Sequence, residues 1–144
     1  ALAIPVFALF RLAKFNLDTR QTDSFIGVPT PAVTLFFAAI PFMLMYDPGL
    51  INADVTEIRW FIVNPWFLAI SSLVMGVLMV SEIPLFALKF KSFGWKGNEV
   101  RYSFLTISVI LLATLFVWAL PIIVLLYIIL SLIINVVNKP KNEV

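Results

Sequence analysis

The chain has 144 residues, of which 62% are hydrophobic and only 12% charged, with a mean hydropathy of +1.05 and a net charge of +2. That balance is far from an ordinary soluble domain and points to a bilayer. The absence of cysteine excludes a disulfide, a thiol nucleophile and a thiolate metal site, and the absence of histidine excludes a neutral-pH imidazole base; the aromatics do not alternate with Lys and Arg as nucleic-acid binding requires.

In chain order, Ala1 to Phe10 is apolar and the run continues to Phe15, interrupted by Arg11 and Lys14, which reads as the end of a helix over roughly 1–16. A polar, proline-marked stretch follows. Pro31 to Tyr46 contains no Asp, Glu, Lys or Arg and predicts a helix over roughly 31–47, short against the ~20 residues of a full span. Trp60 to Ser81 is again free of those residues and predicts one helix over roughly 60–83. Within it, Ser72 and Gly76 make a small-xxx-small pair suited to close helix packing. Tyr102 to Asn138 is a 37-residue uncharged run, too long for one helix and long enough for two. Proline suits the first turn of a new helix, so Leu120 and Pro121 predict a hairpin turn between helices over roughly 103–119 and 121–137. The expected fold class is all-α: a single polytopic transmembrane helical bundle over 1–144, one partial helix plus four more, the last two a hairpin.

Lys and Arg counts across successive connections should alternate from rich to poor. They run three (Arg11, Lys14, Arg20), one (Arg59), four (Lys89, Lys91, Lys96, Arg101), none, and two (Lys139, Lys141). The order places the 11–29 and 82–101 loops and the C-terminus in the cytoplasm of a multi-pass membrane protein. Tyr46, Trp60, Trp66 and Trp118 then belong to the outer interface, Trp95 and Tyr102 to the inner one.

Arg11, Lys14 and Asp18 share a helix face by their i, i+3 and i+4 spacings, directing two cations and a carboxylate to one interface. Snorkelling to phosphate headgroups accounts for such cations without a specific site. The following Phe25-Ile26-Gly27-Val28-Pro29-Thr30-Pro31 combines a flexible glycine with two prolines that fix φ, and reads either as a stiff lead into the next helix or as a shaped lid beside a polar site. Glu82 is expected to pair with a basic loop residue, Lys89, Lys91 and Lys96 to hold topology and attract anionic lipid, and Tyr127 to pack between helices.

"FRLAKFN", then "FIGVPTPA", then "LMVSEIP" with "FALKFKSF" resemble, in that order, the C-terminal half of bacterial membrane-embedded phosphatidylserine synthases, the CDP-diacylglycerol:serine O-phosphatidyltransferases of the CDP-alcohol phosphatidyltransferase family. The resemblance implies phospholipid biosynthesis: transfer of a phosphatidyl group from CDP-diacylglycerol to L-serine, releasing CMP, in a homodimer embedded among membrane lipids and without nucleic acid. It also implies a divalent metal, Mg or Mn, held by the family signature D-G-x-x-A-R followed by two aspartates spaced by four. This sequence does not contain that signature, and its Asp54 and Glu57, three apart, fall on the outer side. No catalytic residue and no metal ligand is therefore assigned to this chain, which is expected to be a C-terminal portion supplying scaffold and acceptor recognition, inactive alone.

Serine presents a carboxylate and an ammonium beside its hydroxyl. Arg11 is the candidate for the carboxylate or a substrate phosphate, because its planar fork makes two hydrogen bonds to either. Lys14 adds positive potential, Asn16 orients a polar group, Asp18 or Asp23 meets the ammonium, and Gly27, Pro29 and Pro31 shape the backbone over the site. A phosphorylated acceptor such as glycerol phosphate or inositol phosphate would demand more cations around Arg11 and Lys14; choline is a further acceptor to weigh. A non-catalytic membrane subunit or small transporter would instead require facing polar residues at mid-membrane depth, and the chain has few.

Overall fold

The computed structural model describes residues 2–17, 25–46, 56–85, 94–95 and 97–137. It is all-α apart from one minimal strand pair. Helices α1 (Ala3–Leu17), α2 (Thr30–Met45), α3 (Thr56–Val63), α4 (Pro65–Val80), α5 (Glu99–Leu115) and α6 (Ala119–Val137) pack side by side, while strands β1 (Phe25–Ile26) and β2 (Pro84–Leu85) pair antiparallel with Phe25 opposite Leu85. Among the described residues one helical stretch, Glu99–Val137, is long and apolar enough to cross a membrane; α3 and α4 together pass the same test as a pair bent by 62°.

The stretch Glu99–Val137 folds back on itself. Phe104 and Tyr127 would stand roughly 35 Å apart along one straight helix at 1.5 Å per residue. Their ring centroids are instead 5.9 Å apart. The reversal lies at Phe116, whose φ of 48° and ψ of −120° end α5, followed by a 3-10 turn over Phe116–Trp118. The hairpin is therefore present, but its corner precedes the expected Leu120–Pro121. Pro121 is the third residue of α6, inside the first turn, where an amide proton has no intrahelical partner and its loss costs nothing.

The helix expected over 60–83 is two helices. Asn64 caps α4 by accepting from the Trp66 N–H at 2.9 Å, and Pro65 occupies the first turn, so the chain restarts a helix in a new direction. The remaining helices keep close to their expected ranges.

Two apolar clusters hold the bundle together. The larger joins Val33 and Phe36 of α2, Met75 and Met79 of α4, Phe104 of α5 and Val124, Tyr127 and Ile128 of α6. The smaller joins Ala39 and Met43 of α2 with Ile62 of α3 and Trp118. Helix α1 lies against α4, where Gly76 is buried and the Phe7 ring occupies the space that a Cβ would need. This close approach is what the small-xxx-small spacing predicted at Gly76; Ser72 satisfies its hydroxyl on the Leu68 carbonyl at 2.6 Å.

Side-chain hydrogen bonds between distant elements gather in two groups. One group collects Arg11, Lys14, Gly27, Thr30 and Glu82, joined by Asn135, whose side-chain amide donates to the Pro84 carbonyl. In the other, the Tyr46 carbonyl accepts from the Trp118 indole at 3.1 Å and from Arg59 at 3.4 Å. Trp60 and Trp66 are exposed there, but Trp118 is only 7% exposed, tied inward to α2 where an interfacial anchor was expected. Trp95 stacks on Tyr102 with centroids 5.4 Å apart, near the start of α5.

Candidate functional site

The Phe25–Pro31 segment is fixed by backbone bonds. Gly27 donates to the Ile83 carbonyl at 2.9 Å and Val28 to the Leu78 carbonyl at 3.0 Å, while β1 and β2 pair beside them. Gly27 has φ of +73°, and a Cβ there would run into the carbonyl oxygens of Met79 and Ser81. Only glycine accepts both the left-handed backbone and that approach. The segment is thus a wall clamped to the end of α4. Pro29 follows as the N-cap of α2 and Pro31 sits in its first turn, which stiffens the wall where no amide proton is needed.

Arg11 reaches this wall from α1. Its Nη1 donates to Thr30 Oγ1 at 3.2 Å and its Nη2 to the Gly27 carbonyl at 3.4 Å, with the side chain half-buried. Ala8, Leu12, Phe15, Pro29 and Pro31 join Arg11 and Thr30 around a pocket of about 250 Å³. None of Arg11's partners among the described residues is a carboxylate. A guanidinium with five donor N–H groups, held by two neutral oxygens beside an open pocket, is a preorganised receptor for an anion.

The other predicted site residues separate into those on the wall and those elsewhere. Gly27, Pro29 and Pro31 are brought together with Arg11. Lys14 is directed to a different partner set: its Nζ donates to the Val80 carbonyl at 3.2 Å and to Glu82 Oε1 at 3.1 Å. Glu82 is thereby paired with a residue of α1, where a loop cation was expected. Lys14 also completes the C-terminal end of α4, where carbonyls lack helical partners and a cation is favoured. Asn16 is exposed and does not line the pocket. Asp18 and Asp23 lie outside the described residues.

Three residues of this region carried no functional signal in sequence. Thr30 is a helix-start threonine whose hydroxyl orients Arg11, a role visible only once α1 and α2 are adjacent. Phe104 and Tyr127 lie behind the proline wall: Pro29 and Pro31 also border a second, apolar groove of about 330 Å³ with Leu35, Val124 and those two rings. Among the described residues no group of three His, Cys, Asp or Glu stands ready to hold a metal ion.

Comparison with protein-family models, with curated proteins and with solved structures finds no match. The functional reading therefore rests on the geometry itself and on the motif resemblance of "FRLAKFN" and "FIGVPTPA". Chemically, the pocket at Arg11 is suited to binding and orienting an anionic group. Among the described residues, none lining it is a carboxylate or other group placed for acid–base work.

Proposed function

We propose that this chain is the acceptor-recognising part of a polytopic membrane transferase that makes phosphatidylserine from CDP-diacylglycerol and L-serine. In this reading the five helical spans are α1, α2, the bent α3–α4 pair, α5 and α6, and the Arg11 end faces the cytoplasm. The single observation that carries it is Arg11: half-buried, engaged by the neutral oxygens of Gly27 and Thr30, and facing a small pocket. The serine carboxylate docks on its free donors. The serine hydroxyl oxygen forms a bond to the phosphorus that carries diacylglycerol; the bond from that phosphorus to CMP breaks, CMP leaves with the electron pair, and the hydroxyl proton passes to a base.

The family's aspartate motif would provide that base and the ligands for Mg or Mn, which supplies charge neutralisation at the diphosphate when bound. The residues described here offer no such ligand set, and their part is to bind and orient the acceptor. Acceptor size is also constrained. A phosphorylated acceptor calls for a second cation at the pocket, and Lys14 is engaged by Val80 and Glu82, which favours a singly charged carboxylate.

The test is Arg11→Ala in the full-length enzyme, reconstituted in vesicles and assayed for serine-dependent CMP release. Loss of a charge-assisted, two-pronged contact of about 1.5–3 kcal/mol lowers kcat/KM for serine by about 10- to 100-fold while membrane insertion is retained. Turnover and serine KM close to those of the unmodified enzyme would overturn the recognition role.

A further inference from the structure

A second cavity shares no lining residue with the Arg11 pocket. It is an open notch of about 520 Å³ at the 62° bend between α3 and α4, bordered also by Phe36 of α2 and Leu125 of α6. That volume is within the roughly 300–1,000 Å³ of small-molecule sites. Nothing in the transferase reading uses it.

Its walls specify what it takes. Phe61 and Phe67 meet across the bend with ring centroids 4.8 Å apart and form its aromatic floor. Among the described residues the polar groups of the lining are confined to Asn64, Trp66 and Ser71; Asn64 Oδ1 accepts from the Trp66 backbone N–H at 2.9 Å, and Ser71 Oγ donates to the Leu68 carbonyl at 3.2 Å. An occupant rich in polar groups would leave most of them unanswered along the walls of Phe36, Phe67, Ile70, Val74, Met75 and Leu125, and an apolar cavity does not hold water well. Hydrocarbon meets neither penalty.

Position and helix faces then decide between a lipid chain and another protein helix. Trp60 and Trp66, 73% and 77% exposed, flank the bend as aromatic side chains do at headgroup depth, so the notch opens just beneath an interface. Helices in membranes approach each other through small residues. On α4 that face is the Gly76 side, already filled by Phe7 of α1. The face that opens the notch carries Ile70, Val74 and Val77, all bulky and at least half exposed, which suits flexible chains better than a rigid helix.

We propose that the bend at Asn64–Pro65 forms a binding site for one phospholipid acyl chain, drawn from the leaflet on the Trp60 and Trp66 side. The inference rests on the membrane placement given under Proposed function but not on the transferase chemistry.

The experiment places the full-length protein in phosphatidylethanolamine and phosphatidylglycerol vesicles containing a phospholipid with a photoactivatable diazirine on one acyl chain, and maps the adducts by mass spectrometry. The expected result is several-fold heavier labelling of the 61–74 segment than of the equally apolar, exposed face of α5 at Val109 and Ile110. Filling the notch with Val74→Phe should remove that excess, and Val109→Phe should not; Ile70→Trp serves as a second filling variant should Val74→Phe fail to fold. Equal labelling of the two faces, or an excess that survives filling, overturns the site. A disulfide formed on mild oxidation between two copies carrying Ile70→Cys, in a chain with no other cysteine, also overturns it, in favour of a protein interface. Absence of adducts along every apolar helix defeats the membrane placement itself, and the site with it. CMP release is measured in parallel, so failure of the transferase reading is seen separately.

Discussion

Arg11 and Thr30, nineteen residues apart, meet at 3.2 Å, guanidinium to hydroxyl, at the seam between α1 and α2. The bond fixes the plane of a cation that would otherwise sweep the interface. If Arg11 recognises serine as proposed, Arg11→Lys, which keeps the charge but loses the planar fork, should raise serine KM while the protein stays folded. Thr30→Val removes the orienting acceptor, worth about 0.5–1.5 kcal/mol, and should raise serine KM less than Arg11→Lys does. Steady-state kinetics of the full-length variants check the order; an unchanged serine KM in Thr30→Val would argue against orientation by Thr30.

Gly27→Ala should be among the most damaging single-methyl changes in this chain. The new Cβ meets the carbonyl oxygens of Met79 and Ser81 at a φ of +73°. Strain in that backbone region alone costs about 1–3 kcal/mol, and relieving the collision would break the clamp on α4. Thermal unfolding in detergent should show a lowered Tm together with lost serine turnover. An unchanged Tm would show that the wall tolerates displacement.

Contact between α1 and α4 is tested at Gly76. Gly76→Ala places a methyl in the volume of the Phe7 ring, an overpacking of about 1–3 kcal/mol. Shortening the opposing side chain with Phe7→Leu should partly rescue it, and a double-mutant cycle on unfolding free energies measures the coupling. Strict additivity would mean that the two residues do not meet.

The Lys14–Glu82 ion pair, 3.1 Å long with the Glu82 side chain largely in solvent, should contribute little. Exposed pairs are worth about 0.2–1 kcal/mol and weaken with salt. Glu82→Gln should therefore shift stability only slightly, and less at high ionic strength. Lys14→Met should leave serine KM close to its original value, unlike Arg11→Lys. A serine KM raised as far by Lys14→Met would bring Lys14 back into the acceptor site.

Helices were legible because apolar runs without Asp, Glu, Lys or Arg are long-range averages, insensitive to any one residue. Corners were not, because they depend on single positions. The Asn64–Pro65 dipeptide is a sound turn signal, yet it lies inside an uncharged run that reads as one span. Pro121 marks the first turn of α6, while the reversal itself occurs at Phe116, a residue type with no preference for positive φ.

By itself the sequence determined an all-α, predominantly apolar chain, the approximate extent of its helices, a glycine and two prolines at the entry to α2, and Arg11 as the cation to consider. Tertiary structure alone decided what those residues meet. Lys14 and Glu82 are 68 residues apart, Gly27 and Ile83 are 56 apart, and Arg11 finds its acceptors across a helix seam. Local spacing governs which face of a helix a side chain occupies, but its partner is set by which helices pack together. Here that choice falls to close-contact features such as Gly76 against Phe7 and Gly27 against the end of α4, whose partners no local pattern encodes.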